Sequence, residues 1–373
     1  MHLNLDIDNF LAEYWQQKPL LIRNAVSNFS PPIDADELAG LAMEEAIESR
    51  IIDTVGQSWQ LTHGPFKEVD FDREYPWTLL VQAVDHHVQE VADLLKLVDF
   101  IPSWRVDDVM VSFASDGGSV GPHYDNYDVF LLQGEGKRRW RLGQTCHSGS
   151  ALVAHPDLRV LANFDCTHEY TLEAGDVLYV PPGVAHWGVA QGSCTTFSLG
   201  FRAPRVNDML SRHIDELLED IDPEQFYGDA QQSAAALPGE IRDEDIARMA
   251  AQLAAALAQS SKGRWFGELV TEPRFPLLPD DDELAEGRIL LQLSAAAVTL
   301  LPGAKLAWQS SENGFNIYAN GEAMRYSKAI RPLILTLCRD HVLEGDALSE
   351  ALTSTEGQAL LQQLLAVGCI IIE

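Results

Sequence analysis

The sequence predicts an α+β chain: a double-stranded β-helix of the jelly-roll type, then a helical region, then a small C-terminal module like a winged helix. Three observations predict it. From about residue 105 to 204, short alternating or apolar runs are punctuated by Gly and Pro. After Pro204 the texture turns helical. The last stretch joins a hairpin signal to helices. At 373 residues the chain exceeds one compact core, so roughly two or three domains are expected.

The elements follow in order. Residues 6–50 carry helical patterns, as in 36–46 after the Pro31-Pro32 break, and Trp15 with Leu20-Leu21-Ile22 reads as a helix followed by a short strand. Jelly-roll strands are expected at 109–114, 120–124, 127–133, 138–142, 170–173, 177–180, 186–190 and 195–201. Gly117-Gly118, Gly134-Glu135-Gly136, Ala174-Gly175-Asp176 and Gln191-Gly192 supply the turns. Beyond the barrel, 206–218 is a helix, 222–238 a loop, 243–259 an Ala-rich helix and 265–270 a continuation of the bundle. Pro273, Pro276 and Pro279 mark a linker. Strands are expected at 305–309 and 315–318, a turn at Asn320-Gly321, helices at 328–339 and 358–366, and a strand at 369–372.

The domains are therefore placed at 1–204 (barrel core about 105–204 with an N-terminal elaboration), 205–272 (helical region) and 285–373 (winged-helix-like).

Composition narrows the function. The five cysteines, Cys146, Cys166, Cys194, Cys338 and Cys369, show no paired spacing, which fits buried or free thiols rather than disulfides or a zinc knuckle. No apolar run of about 18 residues appears, so no membrane span is expected. Residues 1–10 lack the basic start and apolar core of a secretory signal, so a cytoplasmic location is expected. A net charge of -30 repels nucleic acid and anionic membranes and attracts a basic partner; solubility alone is the plainer reading.

The sharpest motif is Gly121-Pro122-His123-Tyr124-Asp125, with His186 following Pro181-Pro182-Gly183 further on. In a strand, positions i and i+2 share a face, so His123 and Asp125 reach one ion together. In a jelly roll the strand of His186 lies beside them. Two imidazoles and one carboxylate then hold one face of an octahedral metal, the pattern of non-haem Fe(II) oxygenases. The open positions suit a bidentate 2-oxoacid and dioxygen. An isolated His-x-Asp is a weak signal and otherwise describes a solvated turn. The β-like surroundings and the buried run Gly175–Val180 favour the metal. His147, His155 and His168 are read as non-ligands.

A 2-oxoglutarate enzyme also needs a cation inside the barrel. In Lys137-Arg138-Arg139-Trp140-Arg141-Leu142, Arg138 shares a face with Trp140 and Leu142, whereas Lys137, Arg139 and Arg141 share the other. Arg138 is the predicted anchor, since a guanidinium binds a carboxylate bidentately. Its alternative role is pairing with a structural carboxylate.

The run from Gly121 to Phe130, with Gln133-Gly134, Lys137-Arg138-Arg139-Trp140, Leu178–Gly183 and Ser198–Pro204, resembles the JmjC-type (cupin) Fe(II)/2-oxoglutarate oxygenases, and among them the bacterial ribosomal oxygenases. Residues 36–44 and His63-Gly64-Pro65-Phe66 are similar too. The likeness covers most of the chain and is weakest from about 224 to 284 and near the C-terminus. It implies a JmjC barrel using Fe(II), 2-oxoglutarate and dioxygen, a helical dimerisation region making a homodimer, and a winged helix. The implied reaction is hydroxylation of an arginine β-carbon in large-subunit ribosomal protein L-sixteen.

The resemblance implies an arginine pocket at Asp108, Met110, Tyr127 and Ser198. Alternation puts Asp108 and Met110 on one strand face with Ser112, and Ser198 with Thr196 and Gly200. The competing roles are a strand-end cap or an Arg105 partner for Asp108, barrel packing for Tyr127, and core filling for Met110. Ala114 stands where some of these oxygenases carry a hydroxyl residue, so Arg138 needs another helper if that hydroxyl holds oxoglutarate. Two other functions stay open: hydroxylation of a histidine or lysine in another protein, and a non-enzymatic cupin scaffold binding a basic partner.

Overall fold

The computed structural model describes residues 2–56, 58–234, 237–259, 263–274, 284–285, 287, 296–312 and 314–372. They form two compact units, Met1–Ala203 with Leu301–Gly303, and Pro204–Leu300 with Ala304–Glu373.

The first unit opens with α1 (Ile7–Glu13), capped by the Asp6 carboxylate on the Asn9 N–H. Next come β1 (Leu20–Ile22) and α2 (Ala35–Leu41), which starts on a reciprocal capping box between Asp34 and Glu37. The helix expected over 36–46 ends at Leu41. The Ala42 carbonyl leaves the helical ladder to accept from the Ser49 hydroxyl and the Phe66 N–H.

Strands β2 (Ser49–Val55), β3 (Ser58–His63) and β4 (Trp77–Val81) come next, unforeseen by the alternation pattern, then the short α3 (Gln89–Ala92). The barrel strands are β5 (Val106–Ala114), β6 (Val129–Gln133), β7 (Lys137–Thr145), β8 (His168–Leu172), β9 (Val177–Val180), β10 (Val184–Gln191) and β11 (Cys194–Phe201). They make a large sheet in the order β1-β9-β6-β11-β5-β4-β2-β3 and a small one in the order β10-β7-β8.

Period-2 alternation explains the two faces of the large sheet. Ile51, Leu79, Val111, Phe197, Phe130 and Tyr179 join one core with Phe10, Leu38 and Leu94 of the N-terminal elaboration. The alternate residues Val129, Leu131, Leu178 and Val180 pack with Trp140, Leu142 and Leu172 of the small sheet to fill the lumen. Each such side chain contributes about 1.5–3 kcal/mol on burial.

The segment expected as a strand over 120–124 is not one. Gly121 takes a left-handed φ of 83° and Pro122 has no N–H to donate, so only an isolated antiparallel bridge between His123 and His186 remains.

The second unit holds α4 (Val206–Asp220), α5 (Asp243–Gln259) and α6 (Arg264–Thr271). Strands β12 (Ala297–Leu300), β13 (Leu306–Ser311), β14 (Gly314–Ala319) and β15 (Glu322–Tyr326) follow. Then come α7 (Arg331–Asp340), β16 (Val342–Glu344), α8 (Gly345–Thr353), α9 (Thr355–Ala366) and β17 (Ile370–Ile372). Asn320 and Gly321, with φ of 47° and 87°, turn β14 into β15 as the Asn-Gly pair requires. Two three-stranded sheets, β16-β12-β17 and β13-β14-β15, share a core with α7–α9 through Ile317, Ile334, Leu343, Leu348, Leu360 and Leu364. The helix expected at 328–339 begins as a tight turn over Lys328–Ile330. Pro276 and Pro279 of the expected linker lie outside the described residues.

Candidate metal centre

His123 sits in the connection between β5 and β6, and His186 on β10 opposite Leu142 of β7. The two backbones exchange a pair of hydrogen bonds, His123 N–H to His186 O at 3.0 Å and His186 N–H to His123 O at 2.8 Å. The Asp125 carbonyl accepts from Gly183 N–H at 2.7 Å, fixing the second half of the motif to the Pro-Pro-Gly turn.

Each imidazole is oriented from behind. His123 Nδ1 lies 3.0 Å from the Gly121 carbonyl and His186 Nδ1 3.0 Å from the Val184 carbonyl. A carbonyl only accepts, so each Nδ1 carries the proton and each Nε2 keeps its lone pair. The His186 ring is 2% exposed, and burial, reinforced by the neighbouring His123, lowers its pKa to about 4. It is therefore neutral, the form that binds metal.

One donor atom from each of His123, Asp125 and His186 lies within 4.8 Å of the others, with His186 Nε2 3.5 Å from Asp125 Oδ2. Bonds of about 2.0–2.2 Å to one ion suit such a cluster. Among the described residues no other group of three such donors converges. His147 and His168 instead use Nδ1 for local contacts with Gly149 N–H and the Thr167 hydroxyl.

Arg138 is 5% exposed and projects into the lumen, with its Cζ 5.7 Å from the Trp140 ring; that ring in turn lies 5.9 Å from His186. Its Nη1 donates to Ser112 Oγ at 3.3 Å, while Nε and Nη2 have no protein partner. Buried guanidinium N–H groups without acceptors are costly, and a carboxylate is the natural acceptor for them. The residues thus fit both a divalent metal and an anionic 2-oxoacid. On the same strand, Lys137 and Arg141 turn outward to Glu173 and Glu169.

Met110 and Ser198 are directly opposed across the β5–β11 ladder, so they share the lumen face. Asp108, 5% exposed, accepts from Gln82 Nε2 at 2.5 Å and from Ala83 N–H at 3.0 Å. Arg105, its alternative partner, goes instead to Asp128 at 3.2 Å. Tyr127 is 41% exposed, and its phenol pKa is raised first by the Asp125 carboxylate, then by loss of solvent and by Asp108. Those two carboxylates and Arg50 therefore lie close enough to the Tyr127 phenol to act on its charge.

Sequence reasoning did not single out Arg50, which acts on the Tyr127 phenol, Gln82, which donates to Asp108, or the buried Thr78, whose Oγ1 lacks a partner; it placed Ser112, which accepts from Arg138, only on the strand face of Asp108 and Met110. Three of them depend on β2 and β4, whose apolar runs gave no sign of joining the barrel sheet.

Three comparisons bear on this arrangement. Residues 93–209 match the JmjC domain model, residues 250–370 a ROXA-like winged helix, and residues 167–269 an AraC-like ligand binding domain. The chain is 34% identical over 378 residues to the ribosomal protein uL16 3-hydroxylase of Escherichia coli, covering 98% of this chain and 97% of that protein. It is 32% identical to a probable ribosomal oxygenase of Haemophilus influenzae, across 95% and 91% of the two chains. A solved E. coli ribosomal oxygenase in complex with cobalt and 2-oxoglutarate superposes with a TM-score of 0.83 at 32% identity, over 100% of this chain and 99% of that one.

Proposed function

The chain belongs to the JmjC-domain ribosomal oxygenases, and from that premise we propose that it hydroxylates the β-carbon of one arginine in ribosomal protein uL16 (L-sixteen), using Fe(II), 2-oxoglutarate and dioxygen. One observation carries the reading: three donors converge beside a buried guanidinium whose N–H groups have no protein acceptor. Bound iron and 2-oxoglutarate supply the chemistry, in which one oxygen atom enters the C–H bond and the other leaves in succinate, with release of carbon dioxide.

The chain's own residues do the rest. His123, Asp125 and His186 would hold the ion. Arg138 receives the distal carboxylate of 2-oxoglutarate. Met110 and Ser198 line the lumen, and Asp108 and Tyr127 meet a cationic side chain at its mouth. The net charge of -30 draws in a basic ribosomal protein and disfavours direct nucleic-acid binding.

The same reading assigns residues 205–272 to homodimerisation and 285–373 to a winged helix. Its support is α4, where Val206, Leu210, Ile214 and Leu218 recur every fourth residue and all remain exposed. Among the described residues no helix is long and apolar enough to cross a membrane, and action on a ribosomal protein would suit a cytoplasmic enzyme.

The deciding experiment incubates the protein with Fe(II), 2-oxoglutarate, oxygen and a uL16 fragment. One arginine gains one oxygen atom, and His123→Ala gives no product. A fragment mass unchanged by the wild-type enzyme rejects this substrate.

A further inference from the structure

Thr78 on β4 is completely buried, and its Oγ1 has no hydrogen-bond partner. A hydroxyl removed from water and left unpaired is destabilising, so Thr78 calls for a partner that the protein itself does not supply. The partner of Thr78 across the ladder is Ala114, whose other partner is Cys194. Residues paired in this way project to the same face, so all three front the lumen. On the opposite wall Ala190 packs against Ala114 and Cys194, and the ladder partner of Ala190 is Arg138. Arg138 donates to Ser112, two positions before Ala114 on the same strand face.

An unpaired hydroxyl and two unpaired guanidinium N–H groups therefore border one patch of small side chains. Two hydroxyls on the same lumen face are engaged. Ser112 donates to the Thr196 carbonyl while accepting from Arg138, and Thr196 Oγ1 donates to Gln133 Oε1. Ala114 has no hydroxyl to give.

We propose that Thr78 Oγ1 is the second donor, beside Arg138, to the distal carboxylate of 2-oxoglutarate. This rests on the oxygenase reading above. A carboxylate accepts from both groups at once, and so pairs polar atoms that no protein group satisfies.

Calorimetric titration of the full-length, Mn(II)-loaded protein tests it with two ligands: 2-oxoglutarate, and 2-oxobutyrate, which lacks the second carboxylate. Thr78→Val preserves shape and removes the hydroxyl. It is expected to raise the Kd for 2-oxoglutarate about tenfold, the effect of losing one hydrogen bond to a charged group, with the 2-oxobutyrate Kd unchanged. Thr78→Ser restores the affinity. The ligand-free Val variant melts at or above the wild-type temperature, because it no longer buries an unpaired hydroxyl; a structural role would lower the melting point.

Wild-type affinity for 2-oxoglutarate in the Val variant overturns the proposal, as does an equal weakening toward both acids. If the wild type itself binds neither acid, the oxygenase reading falls and takes this inference with it.

Discussion

At the level of single side chains, burial decides which groups can react. Cys338 has its thiol pushed up to about 12 by burial, Cys369 is raised further by the same cause, and Cys146 and Cys194 are also buried. Only Cys166 is exposed. A thiol reagent at neutral pH is expected to label Cys166 at least tenfold faster than the rest, since the thiolate is the reacting form. Peptide mapping after a short exposure reads this out, and early modification of Cys338 or Cys369 would contradict it. The same scale shows what could be read in advance. Alternation alone placed Arg138 with Trp140 and Leu142, and the structure buries all three. The partners of Asp108 could not be read, because Gln82 and Ala83 approach it only through the pairing of β4 with β5.

Among the elements, Asp128 ties the motif loop to the barrel. Its side chain is fully buried and accepts from Tyr179 Oη at 2.6 Å, Gln16 Nε2 at 2.9 Å and Arg105 Nη2 at 3.2 Å, while its carbonyl accepts from Phe201 N–H at 3.1 Å. Four segments thus meet just beyond Tyr127. Asp128→Ala leaves Arg105 largely buried without its counter-charge and is expected to cost about 3 kcal/mol, measured by urea denaturation. A loss below about 0.5 kcal/mol would show the knot to be dispensable. Local patterning located β5 to β11, because Gly turns punctuate them, but it began β5 at 109 where the strand starts at Val106 and ended β7 at 142 where it runs to Thr145. It missed β2 to β4, whose place in the sheet depends on pairing far along the chain. It also extended α2 too far, because the Ala42 carbonyl is claimed by Ser49 and Phe66 and not by a further helical turn.

For the molecule as a whole, the exposed apolar stripe on α4 is costly to keep in water. Light scattering during gel filtration is expected to give twice the 41.3 kDa chain mass. Leu210→Glu with Leu218→Glu should shift it to a monomer by placing charge in the apolar contact. An unchanged wild-type monomer would refute the dimer. A second property of the whole barrel follows from the paired amide–carbonyl links between His123 and His186. They close a short ring across the seam of the two sheets, so these imidazoles cannot drift apart while the roll stays wound. Stripping the ion from a folded molecule should leave its cradle in shape for the next one, and the amide protons of this ring should exchange only when the entire roll comes undone.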